Sequence, residues 1–153
     1  MSDFDFELAA QVHAIASKVK TSEVYWISTP LGEVETNNGN DWCRDCSYYK
    51  ARHLRKHDRR NAAVYFIDGG SRYNSDSHSF CAGCALPLLV SLTDEGVALE
   101  LCHYREYGIN QGHLEVDAFF VDLLMNSASW GSEYLHEIQA HAVQIVSLHE
   151  AHT

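Results

Sequence analysis

Two Cys-x-x-Cys pairs constrain this 153-residue chain more than any other feature: Cys43-Arg44-Asp45-Cys46 and Cys81-Ala82-Gly83-Cys84. A three-residue step puts two thiolates on one tight backbone turn. Two such turns from distant parts of the chain complete the tetrahedral four-sulfur shell that zinc takes. Cys43, Cys46, Cys81 and Cys84 are therefore read as the ligands of one structural Zn2+. A disulfide framework is disfavoured, because the opening Met1-Ser2-Asp3-Phe4-Asp5-Phe6-Glu7 is acidic where a secretory leader is basic. That start predicts a cytoplasmic protein, in a reducing compartment that leaves thiols available to metal.

The cysteine pairs lie inside an internal repeat. Val24-Tyr25-Trp26-Ile27 is followed after fourteen residues by Trp42 and the first pair; Val64-Tyr65-Phe66-Ile67 is followed after twelve by Phe80 and the second. In each copy a β-favouring run leads into turn-forming residues, then an aromatic residue directly before the first ligand, then a segment able to be helical. The pattern predicts two strand–loop–knuckle–helix units, residues 23–58 and 62–92, related by a pseudo-twofold and clamped by one shared zinc. Each is too short to bury its own aromatic strand, so metal binding is expected to be coupled to folding.

Periodicity supplies the remaining elements. Leu8, Val12, Ile15 and Val19 step by four, three and four, which predicts an amphipathic helix over 4–20 capped by Ser2 or Asp3. Strands are expected over 23–28 and 62–67. A third is expected where Val97, Leu99 and Leu101 alternate with Ala98, Glu100 and Cys102. Helices are expected over 47–59 and 84–92, the second with Pro87 in its first turn. Two more cover 116–127 and 133–150, the last with Leu135, Ile138, Ala142, Ile145 and Leu148 as an apolar stripe. The fold class is then α+β in a single domain over 1–153: an N-terminal helix in 1–22, the duplicated zinc-knuckle unit in 23–93, and a strand plus a C-terminal helical hairpin in 94–153. The longest apolar stretch, Cys84–Val90, falls well short of the ~18 residues that span a bilayer, so no membrane association is expected.

Charge is unevenly distributed. Of the net −10, residues 44–60 contribute +5, whereas residues 106–153 hold seven acids and no lysine or arginine. On a helix starting near Ser47, Tyr48, Arg52, Arg55 and Arg59 share one face with Lys56 at its edge, while Ala51 and Leu54 point the other way. Guanidinium groups engage carboxylates and phosphates bidentately and a tyrosine can stack, so Tyr48, Arg52, Arg55, Lys56 and Arg59 are the candidate partner-binding residues. Pairing of these bases with the chain's own acids, or with the anionic zinc shell, is the competing reading.

Other constellations are weaker. His53 and His57 follow Cys46 too closely for a two-cysteine, two-histidine finger, and a second zinc site from Cys81, Cys84, Cys102 and His103 or His78 stays open. His136-Glu137-Ile138-Gln139-Ala140-His141 has five steps between its histidines, which leaves the rings ~140° apart on a helix and excludes a metalloprotease pair. His113-Leu114-Glu115 follows both cysteine pairs, the reverse of the order in zinc deaminases, and a four-cysteine shell leaves no coordination position for an activated water.

The paired knuckles resemble zinc-ribbon and treble-clef modules in ligand type and spacing. Ser47 and Ala85 stand where such knuckles commonly carry glycine, and the 34 residues between the pairs are long for a ribbon. The resemblance implies a structural metal in a module that binds nucleic acid or protein. The expectation is a non-enzymatic, zinc-stabilised interaction or regulatory protein that binds a protein or ribonucleoprotein partner. The alternatives are a nucleic-acid binder using the basic helix 47–60 and an acidic inhibitor that mimics nucleic acid.

Overall fold

Asp5 opens the first helix, its side-chain oxygen accepting a hydrogen bond from the Leu8 N–H at 3.0 Å and so capping one of the orphan amides of the first turn. The computed structural model of the chain describes residues 4–28, 40–57, 63–66, 73–75, 77–109, 113–128 and 133–152. In order these contain α1 (Phe6–Ala16), β1 (Tyr25–Ser28), α2 (Arg44–His57), β2 (Ala63–Phe66), β3 (Tyr73–Ser75), β4 (Val90–Leu92), α3 (Asp94–Tyr107), α4 (Leu114–Ser127) and α5 (Tyr134–Ala151). The fold is mixed, with helices predominating over short paired strands. The chain divides into two compact units.

The first unit is helical and contains α1, α3, α4 and α5. Leu8, Val12 and Ile15 are buried on α1 at the expected spacing, although the helix ends at Ala16, before Val19. Its cap is Asp5; the expected Ser2 and Asp3 lie outside the described residues. The core of this unit centres on α4, where Ala118, Phe119, Val121, Leu123, Leu124 and Met125 are all buried. A helix apolar around so much of its circumference needs neighbours on several sides, and α1, α3 and α5 supply them. On α5, Leu135, Ile138, Ala142 and Ile145 form the buried stripe expected of it, with Leu148 half-buried. The charged side chain buried on α4 is Asp122, whose carboxylate meets His13 Nδ1 at 3.1 Å.

The strand expected through Val97, Leu99 and Leu101 is instead the first half of α3. Thr93 caps this helix, its Oγ1 accepting from the Gly96 N–H at 3.1 Å, and Asp94 and Glu95 put negative charge at its positive end. Val97, Leu101 and Tyr104 face inward at helical steps, and Leu99, which an alternating strand would bury with them, is 62% exposed. Alternation of three apolar residues could not compete with a capped first turn.

The second unit contains β1, α2, β2 and the segment around the second cysteine pair. β1 and β2 pair antiparallel in the register Tyr25↔Phe66, Trp26↔Tyr65, Ile27↔Val64 and Ser28↔Ala63. α2 lies against both strands and buries Ala51 and Leu54. β3 pairs with β4 in a second two-stranded sheet, of which Asn74, Ser75, Ser91 and Leu92 belong to the first unit.

The helix expected over 84–92 is absent. After Cys84 the chain turns at Ala85, which has φ +63, and then runs extended, with Leu88, Val90 and Leu92 buried and Leu89 and Ser91 half-buried between them. That two-residue period belongs to a strand, and Pro87 sits in it as a bridge partner of Phe80. The first pair is thus followed by a helix and the second by extended chain. The helix expected over 47–59 starts three residues earlier, at Arg44, and so takes in Cys46.

Candidate metal centre

Backbone pairing delivers the first cysteine pair. Tyr25 and Trp42 exchange both main-chain hydrogen bonds, 2.9 Å from the Tyr25 N–H to the Trp42 carbonyl and 3.0 Å in return, so the chain enters Cys43 as an extension of the sheet. α2 begins at the next residue, and the turn from strand to helix brings the Cys46 N–H to within 3.4 Å of Cys43 Sγ. The Ser47 N–H donates to the Cys43 carbonyl at 2.9 Å, and its buried hydroxyl donates to the Arg44 carbonyl at 2.6 Å. Ser47 stands where a glycine commonly follows the second cysteine of a knuckle; here the helix itself continues through that position, and no left-handed residue is needed.

The second pair sits at the tip of a narrow hairpin. Leu88 N–H donates to the Ser79 carbonyl, Cys81 N–H to the Leu86 carbonyl and Ala85 N–H to the Cys81 carbonyl, at 2.8 to 2.9 Å. The Gly83 N–H points at Cys81 Sγ, 3.3 Å away. Ala85 closes this turn in the left-handed region that favours glycine, at a strain cost of about 1 kcal/mol.

Asp41 ties the two approaches together. Its carboxylate accepts from Trp26 Nε1 at 2.8 Å and from the Ser79 hydroxyl at 2.5 Å, and its carbonyl accepts from the Ala82 N–H at 2.9 Å. Sequence reasoning had no means of selecting it among 21 acids.

The four sulfurs of Cys43, Cys46, Cys81 and Cys84 all lie within 4.8 Å of one another, and Cys43 Sγ and Cys84 Sγ are 3.8 Å apart. A tetrahedron with metal–sulfur bonds of ~2.3 Å has edges of about 3.8 Å. The donor set therefore fits a four-coordinate ion, and these residues could hold one. Gly83 makes the approach feasible: a Cβ there would stand 3.1 Å from Cys46 Sγ and 3.2 Å from both Cys46 Cβ and Trp42 Cζ3. Among the described residues no other group of three or more cysteine, histidine or acidic donors converges. His53 is exposed on α2, and Cys102 and His103 are exposed on α3.

Electrostatics separate Cys43, Cys46 and Cys81. Burial pushes the Cys43 and Cys46 thiols up, Cys46 strongly. Burial acts on Cys81 in the same direction, but backbone hydrogen bonds at Cys43, Cys84 and Gly83 outweigh it and bring this thiol down to about 7. Cys81 is thus more ready than Cys43 or Cys46 to meet a cation at neutral pH, and a metal binding there would displace the protons of those two thiols into solvent. A cleft of about 300 Å³ opens beside Cys43, Cys46 and Cys84, with Lys20 and Arg44 in its wall.

Of the candidate partner-binding residues, Tyr48, Arg52, Arg55 and Lys56 are exposed on α2, opposite the inward Ala51 and Leu54. Arg59 lies outside the described residues. The ring of Tyr48 stands 6.4 Å from that of Tyr25 on β1. Tyr49 is more exposed still, at 71%, and belongs to the same outward surface. Its spacing of three and seven residues from Arg52 and Lys56 would have shown it.

Comparison with protein-family models, with curated proteins and with solved structures finds no match to this chain. Among the described residues no helix is long and apolar enough to cross a membrane.

Proposed function

We propose that the chain is a non-enzymatic, zinc-stabilised interaction protein of the cytoplasm, which binds an acidic protein or ribonucleoprotein partner through the outer face of α2. The convergence of four sulfurs within 4.8 Å carries the reading. Four thiolates fill the tetrahedral shell of Zn2+ and leave no position for substrate or activated water, so the metal holds structure and does no chemistry. Cys43, Cys46, Cys81 and Cys84 would hold it. The repeat enters here in reduced form: two strands and two knuckles share one ion, while the helix after the first knuckle has no counterpart after the second.

The helix that carries Cys46 also carries the exposed bases, so the metal would fix the binding face to the sheet beneath it. Arg52, Arg55 and Lys56 with Tyr48 and Tyr49 offer bidentate and stacking contacts to carboxylates or phosphates. The rest of the chain is acidic, with −7 over residues 106–153 alone, and such a net charge repels the uniform charge of free duplex, which favours a discrete partner over non-specific nucleic acid.

Native mass spectrometry of protein expressed without added metal should show one zinc per chain. Affinity capture from extract, with and without nuclease, should retain a discrete partner that is lost on Arg52→Glu/Lys56→Glu. Retention of the partner by that variant would overturn the assignment of the face. Salt-sensitive binding to single-stranded or duplex nucleic acid alone would replace the partner with nucleic acid itself.

A further inference from the structure

The helical unit carries a second surface, opposite in charge to α2 and independent of the cysteines. Between α1 and α5 runs a groove of about 280 Å³ whose floor is Leu8, Val143 and Val146. Val143 is 52% exposed, on a helix that already buries a full stripe of Leu135, Ile138, Ala142 and Ile145 on its other side. Val143 and Val146 therefore extend the apolar arc of α5 beyond what its own core requires. Asp5, Glu7 and Glu150 form the rim, with Gln11 and Ser147 between them. Residues 106–153, which supply α4 and α5, contain no lysine or arginine; Lys18, past the end of α1, stands 3.3 Å from His149 Nε2.

The groove is below the ~300–1,000 Å³ typical of small-molecule sites, and its length of about two helical turns suits a few side-chain anchors. Apolar floor and acidic rim together complement a helix with apolar residues at i, i+3, i+4 and i+7 on one side and lysine or arginine on the flanks. A second copy of this chain does not supply one: its basic helix is α2, whose apolar side, Ala51 and Leu54, is already buried. We infer that the groove between α1 and α5 docks a basic amphipathic helix of a partner protein. It is a different surface from the face of α2, and its test does not depend on zinc.

The probe is a fluorescent peptide of about four helical turns, with leucines at the periodic positions and lysines and arginines flanking them, titrated by anisotropy against the full chain. Two variants change exposed side chains, each checked for an unchanged circular-dichroism melt: Val143→Lys, and Glu7→Gln/Glu150→Lys. Saturable binding that weakens about tenfold in either variant and falls with added salt is the expected result. Three results would each overturn the inference. The variants bind as the parent does. A scrambled peptide of the same composition binds equally well, so that charge alone suffices. Sedimentation shows a dimer that Val143→Lys converts to monomer, so that a second copy covers the groove.

Discussion

The two units solve the same problem with different means. In the helical unit, α4 alone buries eight residues, and α1, α3 and α5 close around it with apolar stripes of their own. In the other unit the paired strands are four residues long and α2 buries little beyond Ala51 and Leu54 under an outer surface of bases and tyrosines. A two-stranded ribbon alone is marginal in water, and small units built on one commonly add a staple to the helix that covers it. On the reading proposed above, cohesion in the helical unit comes from area removed from water, and in the other from a metal at the converged donors together with a smaller core of Val24, Ile27, Leu54 and Leu88.

Removing the staple is the largest test of that contrast. Chelation, or Cys43→Ser/Cys81→Ser, should abolish amide protection across β1, α2 and β2 while α4 and α5 stay protected, because structural zinc contributes on the order of 10 kcal/mol to small metal sites. Hydrogen exchange read by segment checks this. Equal loss in both units would mean that the helices also depend on the metal.

The reciprocal change is Ile138→Ala, which empties a fully buried site in the helical unit. It should cost about 2–5 kcal/mol in that unit's unfolding and leave zinc affinity unchanged, measured by denaturant melts and by competition with a chromogenic chelator. A fall in affinity would erase the distinction between the units.

Gly83→Ala brings a methyl group to within 3.1 Å of Cys46 Sγ, with the Trp42 ring and the Cys46 Cβ limiting any retreat. A penalty of about 1–3 kcal/mol is expected, appearing as weaker metal binding and unchanged melting of the helical unit. Ala85→Gly has the opposite sign. Relief of the left-handed strain at φ +63 exceeds the added freedom of the unfolded chain, and a gain of about 0.5 kcal/mol should appear in the chelator competition.

The smallest effect concerns pH in the helical unit. Burial holds the His141 imidazole below its ordinary pKa of 6.5, with Glu137 opposing and Arg105 assisting. Its Nε2 is buried without a hydrogen-bond partner, and the Tyr104 ring centroid lies 5.2 Å from its own. The folded state therefore binds fewer protons here than the unfolded one. The stability this group contributes is complete above pH 6.5 and is lost as pH falls through the lower folded value. Melting of the helical unit should drop by a few degrees on acidification, and His141→Gln should reduce that drop. An identical slope in the variant would assign the pH dependence elsewhere.

Local spacing made much of this legible. Cys-x-x-Cys twice, the helical steps of Leu8, Val12 and Ile15, and the stripe through Leu135 and Ile145 were readable because each pattern is written within a turn or two of chain. The errors came where two local signals disagreed. Val97, Leu99 and Leu101 alternate like a strand, yet Thr93-Asp94-Glu95 caps a helix, and the cap prevailed. The segment after Cys84 resembles the helical one after Cys46 in its place behind a knuckle, yet Leu88, Val90 and Leu92 carry the period of extended chain.

By itself, then, the amino-acid sequence determined which atoms could become ligands and which helix faces had to be buried, since ligand type and periodicity are properties of neighbours along the chain. Only the tertiary structure decided that all four sulfurs meet, that Asp41 joins the two approaches, that Gly83 must lack a side chain, and that Val143 stays uncovered. Each of those depends on segments tens of residues apart meeting within a few ångströms. No pattern of adjacent residues encodes such a distance.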